Sequence, residues 1–214
     1  MTTLCFVGAL MLATAVPVEE EPFHKTVFKN AHLQAFRVTL EAGQSTLLHI
    51  HRHADAAVRL SHATTTSESP GRPTGPPETA APGRVSAREN EPEPTVHAVH
   101  NVGKTRFDVI DVQVLARPDG PPSEPIAEPA AENARMRVYR WDLAPGAGSP
   151  QHTHRRPYMV VAATDVKLRM TAPDGRTTDH PVKAGDLHWV DTEVTHTLVN
   201  RGDENAVMVE FELK

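Results

Sequence analysis

Apolar and polar residues alternate along several short segments of this chain, with the period of two that is typical of β-strands. Between Ala206 and Lys214, valine, phenylalanine and leucine alternate with methionine and glutamate, which predicts a half-buried strand. Residues 110–114 repeat this pattern. Lys167–Met170 and Thr178–Val182 flank the turn sequence Ala-Pro-Asp-Gly and predict a hairpin. No segment shows a sustained helical period, so the sequence predicts an all-β protein.

The two halves of the chain resemble each other when they are aligned at an offset of 103 residues. The offset pairs Asn30 with Asn133, Phe36 with Tyr139, Leu40 with Leu143, and Arg52 with Arg155. In both halves the aligned segment predicts a strand that runs into a glycine turn. The repeat indicates a duplicated domain, and its short strands and frequent turns favour two small β-barrels or sandwiches.

Proline-rich segments indicate how the chain divides into domains. Residues 116–131 contain five prolines and no apolar periodicity, so they predict an extended linker between domains at 22–115 and 132–214. Seven prolines and few large apolar residues lie between Leu60 and Thr95. We therefore expect the first barrel to be looser, or more degraded, than the second.

Histidines form the most specific pattern in the chain. The spacing Gly-x5-His-x-His occurs twice, and a third histidine follows each pair. The first set is Gly43, His49, His51 and His97, and the second is Gly146, His152, His154 and His196. Residues two apart in a strand share a face, so each pair can present two imidazoles to one metal ion. The repeat favours at least one metal site over the alternative that these are surface histidines.

Composition excludes several classes of partner and chemistry. A net charge of -5 offers no basic field for nucleic acid, and there is no lysine or arginine run for a membrane surface. Cys5, the only cysteine, lies in the apolar leader discussed next. If that leader is removed, disulfides, cysteine nucleophiles and cysteine-metal sites are excluded, and the chemistry must use histidines.

The first 15 residues are mostly apolar, carry no charged side chain and end in Ala13-Thr14-Ala15. This pattern predicts a cleaved signal peptide and a secreted or periplasmic protein. The run is too short for stable membrane insertion. Because a basic residue is missing at its start, a wrongly assigned start or an uncleaved apolar leader is the alternative.

These motifs resemble the cupin superfamily, in particular its two-domain bicupins, whose domains are double-stranded β-helix, or jelly-roll, barrels. The family pattern is G-x5-H-x-H-x3-4-E-x6-G followed by G-x5-P-x-G-x2-H-x3-N. In the glutamate position this chain has Asp55 in the first domain and Tyr158 in the second. In the second domain Asp191 and Glu193 replace the proline and the inner glycine of the second motif.

The resemblance implies a metal site in each domain. The ligands would be His49, His51, His97 and the short Asp55 carboxylate in the first, and His152, His154 and His196 in the second. Tyr158 is the candidate catalytic residue: it could be a ligand, a proton donor or, as we favour, a pocket wall or hydrogen-bonding group. His53 shares strand parity with His51 and could replace a ligand, although a solvent-exposed position is the favoured interpretation.

The resemblance also implies a divalent transition metal, Fe, Mn, Zn, Ni or Cu, and a small-molecule ligand or substrate. A metal-dependent oxygenase, of the dioxygenase type, is the favoured function, and a metal-dependent isomerase is nearly as compatible. The alternatives are a bicupin that binds a metal or ligand without turnover, and a structural bicupin with relic sites. Assembly into a homo-oligomer is compatible with each of these.

Overall fold

The computed structural model describes residues 14–121 and 123–214. The predicted leader lies outside the described residues except for Thr14 and Ala15. Within the described part of the chain, helical structure is limited to a 3-10 turn at Val18–Glu20, and the remaining elements are strands. The all-β prediction is confirmed.

Ten strands form the first half of the chain. They are β1 Val16–Pro17, β2 His24–Lys29, β3 Leu33–Leu40, β4 His49–His51, β5 Asp55–Arg59, β6 Ala63–Glu68, β7 Glu78–Ala80, β8 Val85–Arg88, β9 Thr95–Asn101 and β10 Phe107–Val114. They make two five-stranded sheets, in the orders β1-β4-β9-β6-β7 and β2-β3-β10-β5-β8. Apart from the parallel pair β1 and β4, neighbouring strands are antiparallel.

Nine strands form the second half. They are β11 Ala131–Glu132, β12 Met136–Leu143, β13 His152–His154, β14 Tyr158–Ala162, β15 Val166–Thr171, β16 Thr177–Val182, β17 Leu187–Val190, β18 Val194–Asn200 and β19 Ala206–Leu213. Their two sheets have the orders β11-β12-β19-β14-β17 and β13-β18-β15-β16. The predicted hairpin is β15 with β16. Each half is therefore a barrel of two facing sheets, and the prediction of two tandem jelly-roll barrels is confirmed.

The two barrels share a hydrophobic core, because the sheet centred on β10 packs against the sheet centred on β19. Ile110 and Val112 from β10 lie in one apolar cluster with Val209 and Phe211 from β19. The residues that alternate with these along β10 and β19 face the barrel interiors, and they are also buried. The prediction of a half-buried strand at the end of the chain is thus wrong, since the second barrel covers one face of β19 and the first barrel covers the other.

The turn after the third histidine is built in the same way in both barrels. The Asn101 amide donates to the carbonyls of Leu40 and Thr105, and its oxygen accepts from the amide of Gly103. Asn200 makes the matching three bonds with Leu143, Glu204 and Gly202. These asparagines shape the turn, as their position four residues past each histidine indicates.

The proline-rich stretch of the first domain still forms strands. β6, β7 and β8 lie within it, and threonine, serine and alanine supply most of their residues. The expectation of a degraded barrel is corrected to this extent, since backbone pairing with β5 and β9 does not need large apolar side chains. What the small and polar side chains change is the character of the space inside the first barrel.

The predicted linker falls between the end of β10 and the start of β11, and it lies against the second barrel. The Arg156 guanidinium donates to the carbonyls of Pro118, Asp119 and Gly120. Ser123 donates its hydroxyl to Glu212 at 3.0 Å. No helix in the described ranges 14–121 and 123–214 has the length and apolar character needed to cross a bilayer.

Asn133 connects the two barrels through a buried amide. Its Nδ2 donates to the carbonyl oxygens of Asp55 at 2.9 Å and Arg88 at 3.1 Å in the first barrel. Its Oδ1 accepts from two backbone amides of its own turn. Asn30, its repeat partner, makes only the two corresponding turn bonds.

We expect Asn133→Ala to lower the free energy of unfolding by about 2–4 kcal/mol, because two buried carbonyls lose their donor and the turn loses its acceptor. Asn30→Ala is the matched control and should cost only about 1 kcal/mol, since it loses the turn bonds alone. Denaturant unfolding of both variants measures the difference. Equal destabilisation would show that the amide bonds between the barrels contribute nothing.

Candidate metal centre

Three histidines converge inside the second barrel. β13 places His152 and His154 on the same face, and its antiparallel pairing with β18 sets His152 directly opposite His196. All three side chains are buried. The structure therefore brings together the second predicted set of ligands, although His196 lies more than forty residues from the other two in the chain.

Glu210 completes this group, and it was missed in the sequence analysis. One ligand atom from each of His152, His154, His196 and Glu210 lies within 4.8 Å of the others. Glu210 projects inward from β19, which pairs with both β12 and β14. Its alternation with Val209 and Phe211 was visible in the sequence. The pattern was interpreted as an exposed polar face because nothing local indicated that this face was buried too.

Hydrogen bonds orient these side chains so that their ring nitrogens and carboxylate oxygens lie close together. His152 donates from Nδ1 to the carbonyl of Pro150 at 2.9 Å, and its Nε2 lies 2.9 Å from Nε2 of His196. Nδ1 of His154 lies 2.9 Å from Glu212, and its Nε2 lies 3.4 Å from Glu210. His154 Nε2 and Glu210 Oε1 are buried with no hydrogen-bond partner. Buried polar atoms without partners are costly, and a divalent cation that displaced the His154 proton would bind both of them.

The pKa values of His154 and His196 are shifted in opposite directions. Burial is the main cause that lowers the pKa of His196, to about 4, so this ring is neutral. Burial also opposes protonation of His154, but the carboxylates of Glu210 and Glu212 outweigh it and raise its pKa to about 9. Without a metal, His154 therefore holds a proton at neutral pH. A bound cation would replace that positive charge.

A cavity of about 550 Å³ adjoins this group, and His196 and Glu210 contribute to its lining. Its walls are mostly apolar, with His180 and His188 among the lining residues. Tyr158 lies flat on His154, with ring centroids 3.7 Å apart. Burial raises the pKa of Tyr158, so its phenol stays protonated. Tyr158 is thus placed as a wall that fixes the His154 ring, and its catalytic role stays a prediction.

The first barrel also gathers its three predicted histidines, and a fourth joins them. His49 and His51 on β4 face His97 on β9, with ring centroids 4.6–5.1 Å apart. His24 on β2 lies 4.6 Å from His49. His24 falls outside the repeated motif, which is why it was not singled out. It is held by a 2.7 Å contact with the buried carboxylate of Glu21.

Asp55 is bound to other side chains in the first barrel. Both of its carboxylate oxygens accept from the Arg88 guanidinium at 2.8 Å, and one also accepts from Asn90. Arg88 lies 3.4 Å from Nε2 of His97 as well. Although burial alone would raise the pKa of Asp55, Arg88 and His51 lower it to about 2. The role of Asp55 as a metal ligand stays a prediction, but this fixed cation disfavours a second one beside it.

Groups of potential ligand atoms within 4.8 Å were found in the first barrel too, among the residues described. They are His24 with His49 and His51, and His51 with Asp55 and Asp111. His53 belongs to neither group. The set in the second barrel, which has four members, is the better candidate for a metal centre.

Comparisons with known proteins agree with this architecture. Residues 139–212 match the family model described as a cupin domain. Over 83 residues the chain is 35% identical to β-alanine degradation protein BauB of Pseudomonas aeruginosa, covering 39% of this chain and 86% of that protein.

Solved structures resemble the chain over most of its length. AerE from Microcystis aeruginosa superposes with a TM-score of 0.58 at 11% identity, covering 91% of this chain and 98% of AerE. Oxalate decarboxylase from Bacillus subtilis, which has Mn(II) centres, gives a TM-score of 0.54 at 15% identity, covering 86% of this chain and 69% of its own. At these identities the likeness concerns the fold alone. With the sequence match and two barrels in tandem, the chain belongs to the cupin superfamily and is a bicupin.

Proposed function

We propose that the second barrel binds a divalent transition metal and uses it to transform a small organic molecule in an oxygenase reaction of the dioxygenase type. The observation that carries this proposal is the convergence of four potential ligands, two of which line a cavity: His152, His154, His196 and Glu210. Imidazole nitrogens and a carboxylate oxygen are ligands that suit iron, manganese, zinc, nickel or copper. A metal that accepts five or six ligands would keep a position for substrate beside these four side chains.

A bound divalent metal would supply Lewis-acid or redox chemistry at the base of the cavity. The chain's own residues set the charge and the geometry there. The Glu210 carboxylate would reduce the net charge of the centre from +2 to about +1. Trp141 donates its indole N–H to Glu210 at 2.6 Å, and Glu212 fixes Nδ1 of His154. Such hydrogen bonds orient ligands and contribute to metal affinity.

The cavity favours a substrate with an apolar body. Leu168, Met170, Leu198 and Met208 contribute to its wall, and none of its lining residues is lysine or arginine. An anionic or carbonyl oxygen of the substrate would therefore be held by the metal itself rather than by a side-chain cation. The name of the relative BauB places that protein in the degradation of a small amino acid, which is consistent with a role in small-molecule metabolism.

Export to the periplasm or the outside of the cell is part of this proposal. Its support is the apolar, uncharged leader that ends in Ala13-Thr14-Ala15. The first strand begins at Val16, directly after that sequence. A mature chain starting there would retain every strand of both barrels. Mass spectrometry of the protein from its native host tests the cleavage.

We expect the purified protein to contain about one transition metal per chain, and expect His152→Ala and Glu210→Gln each to weaken metal binding at least about 100-fold. Glu210→Gln keeps the shape of the side chain and removes only its charge. His49→Ala, in the first barrel, should leave the metal content unchanged, and the exposed His62, which lines neither cavity, provides the control His62→Ala. Elemental analysis gives the stoichiometry. Metal lost in His49→Ala but kept in His152→Ala would reverse the assignment.

Metal affinity should increase about tenfold per pH unit from about pH 6.5 to 8.5, because binding must displace the proton that His154 holds up to its pKa of about 9. Glu212→Gln removes one cause of that raised pKa, so the increase should level off at a lower pH. Glu193→Gln, an exposed glutamate, is the matched control. Metal titrations in weakly coordinating buffers measure the slope, and a flat affinity over this range would contradict the protonated state of His154.

Turnover separates an enzyme from a bicupin that only binds. We expect the Fe(II)-loaded protein to take up dioxygen with at least one member of a panel of small apolar diols, phenols and keto acids. Because uptake requires the metal, His152→Ala should give none above background, whereas His62→Ala should match the unmodified protein. An oxygen electrode measures the rate. Full metal loading with no uptake across the panel would favour an isomerase or a binding role.

A further inference from the structure

The first barrel encloses a cavity of about 620 Å³ with a different chemical character from that of the second. Its lining includes Arg59 and Arg88, whereas the lining of the other cavity contains no arginine. The charge of Arg88 is already balanced by its two bonds to Asp55. Arg59 is therefore the cation in this cavity that could interact with a ligand.

Arg59 is held in place but has no carboxylate partner. Its Nη2 donates to the Thr65 hydroxyl at 2.8 Å, and its guanidinium carbon lies 4.2 Å above the ring of Phe107. Its Nη1 is buried and has no hydrogen-bond partner. The nearby carboxylate of Glu78 lies 3.7 Å from Arg84 instead. Burial lowers the pKa of Arg59 to about 10, which is the effect expected when a buried cation is incompletely balanced.

The second barrel shows that the fold does not require a cation here. Arg59 pairs with Val109 of β10, and the residue in the same register of the second barrel is Ala162, which pairs with Met208 of β19. Phe107 likewise corresponds to Ala206. Arginine and the aromatic ring on which it stacks therefore occur together in the first barrel and are both replaced by alanine in the second.

The cavity around Arg59 also has room and an apolar surface. Ala57 and Ser86 occupy facing positions between Arg59 and Arg88, and their small side chains leave this region open. Val38, Val99 and Val109 supply an apolar wall. The hydroxyl of Thr65 accepts from Arg59, so its own hydrogen is available to a second acceptor. A planar anion with an apolar body matches this combination.

We propose that the cavity of the first barrel binds a small organic carboxylate. Its carboxylate pairs with the guanidinium of Arg59 and accepts from Thr65, and its apolar body lies against Val38, Val99 and Val109. This site is separate from the metal centre proposed in the second barrel. The two barrels then differ in function as well as in sequence: one is a carboxylate site and the other a metal site.

NMR titration of the full chain with hexanoate tests this site, with hexan-1-ol as the neutral ligand of the same length. For a ligand of this size we expect a dissociation constant on the order of 1 mM for hexanoate and binding at least about tenfold weaker for the alcohol. Arg59→Met keeps the length of the side chain and removes its charge. It should weaken hexanoate binding at least about tenfold. Arg52→Met, at an exposed arginine of the first barrel outside the cavity lining, is the matched control and should change nothing.

No saturation by hexanoate at about ten times the expected dissociation constant would overturn the proposal. So would equal affinity for the alcohol, or equal weakening by Arg59→Met and Arg52→Met, because either result would indicate nonspecific attraction. If Arg59→Met fails to fold, Arg59→Lys replaces it. Lysine keeps the charge but lacks the planar fork, so at least about threefold weaker binding is expected. Unchanged affinity in that variant would also count against the site.

Discussion

Burial of β10 and β19 on both faces is the constraint on which the rest of this structure depends. One face of each strand supplies valine, isoleucine, phenylalanine or leucine to the core shared by the two barrels. The opposite face carries acidic residues into the barrel interiors, where water cannot solvate them. A buried carboxylate must be protonated, paired with a cation or bound to a metal. Each barrel satisfies this requirement in a different way.

Corresponding positions show how the two interiors diverged. Asp111 and Glu210 occupy the same register, opposite Phe36 and Tyr139. In the second barrel the neighbouring histidines lower the pKa of Glu210 despite its burial, so the carboxylate remains charged and available to a cation. In the first barrel, burial and the nearby Asp55 raise the pKa of Asp111 well above its ordinary value.

Arg88 gives the interior of the first barrel a positive charge at a position where the second barrel has none. It pairs with Asp55 across β8 and β5, at the register where the second barrel has Val190 opposite Tyr158. A guanidinium bound to two carboxylate oxygens places a permanent positive charge beside His97. A duplicated histidine motif therefore does not imply a duplicated metal centre. The residues at these two facing positions of neighbouring strands therefore affect whether the barrel interior can accept a further cation.

Short-range spacing determined much of what could be predicted from the sequence. Alternation identified the hairpin of β15 and β16, and His-x-His placed His152 and His154 on one face, because both patterns depend only on the local geometry of a strand. The repeat of that motif and the offset of 103 residues indicated two barrels. Glu210, Arg88 and His24 could not be assigned in this way, because each reaches its site through pairing between distant strands. Only the tertiary structure decided that the polar face of β19 is buried, since that depends on how both barrels enclose it.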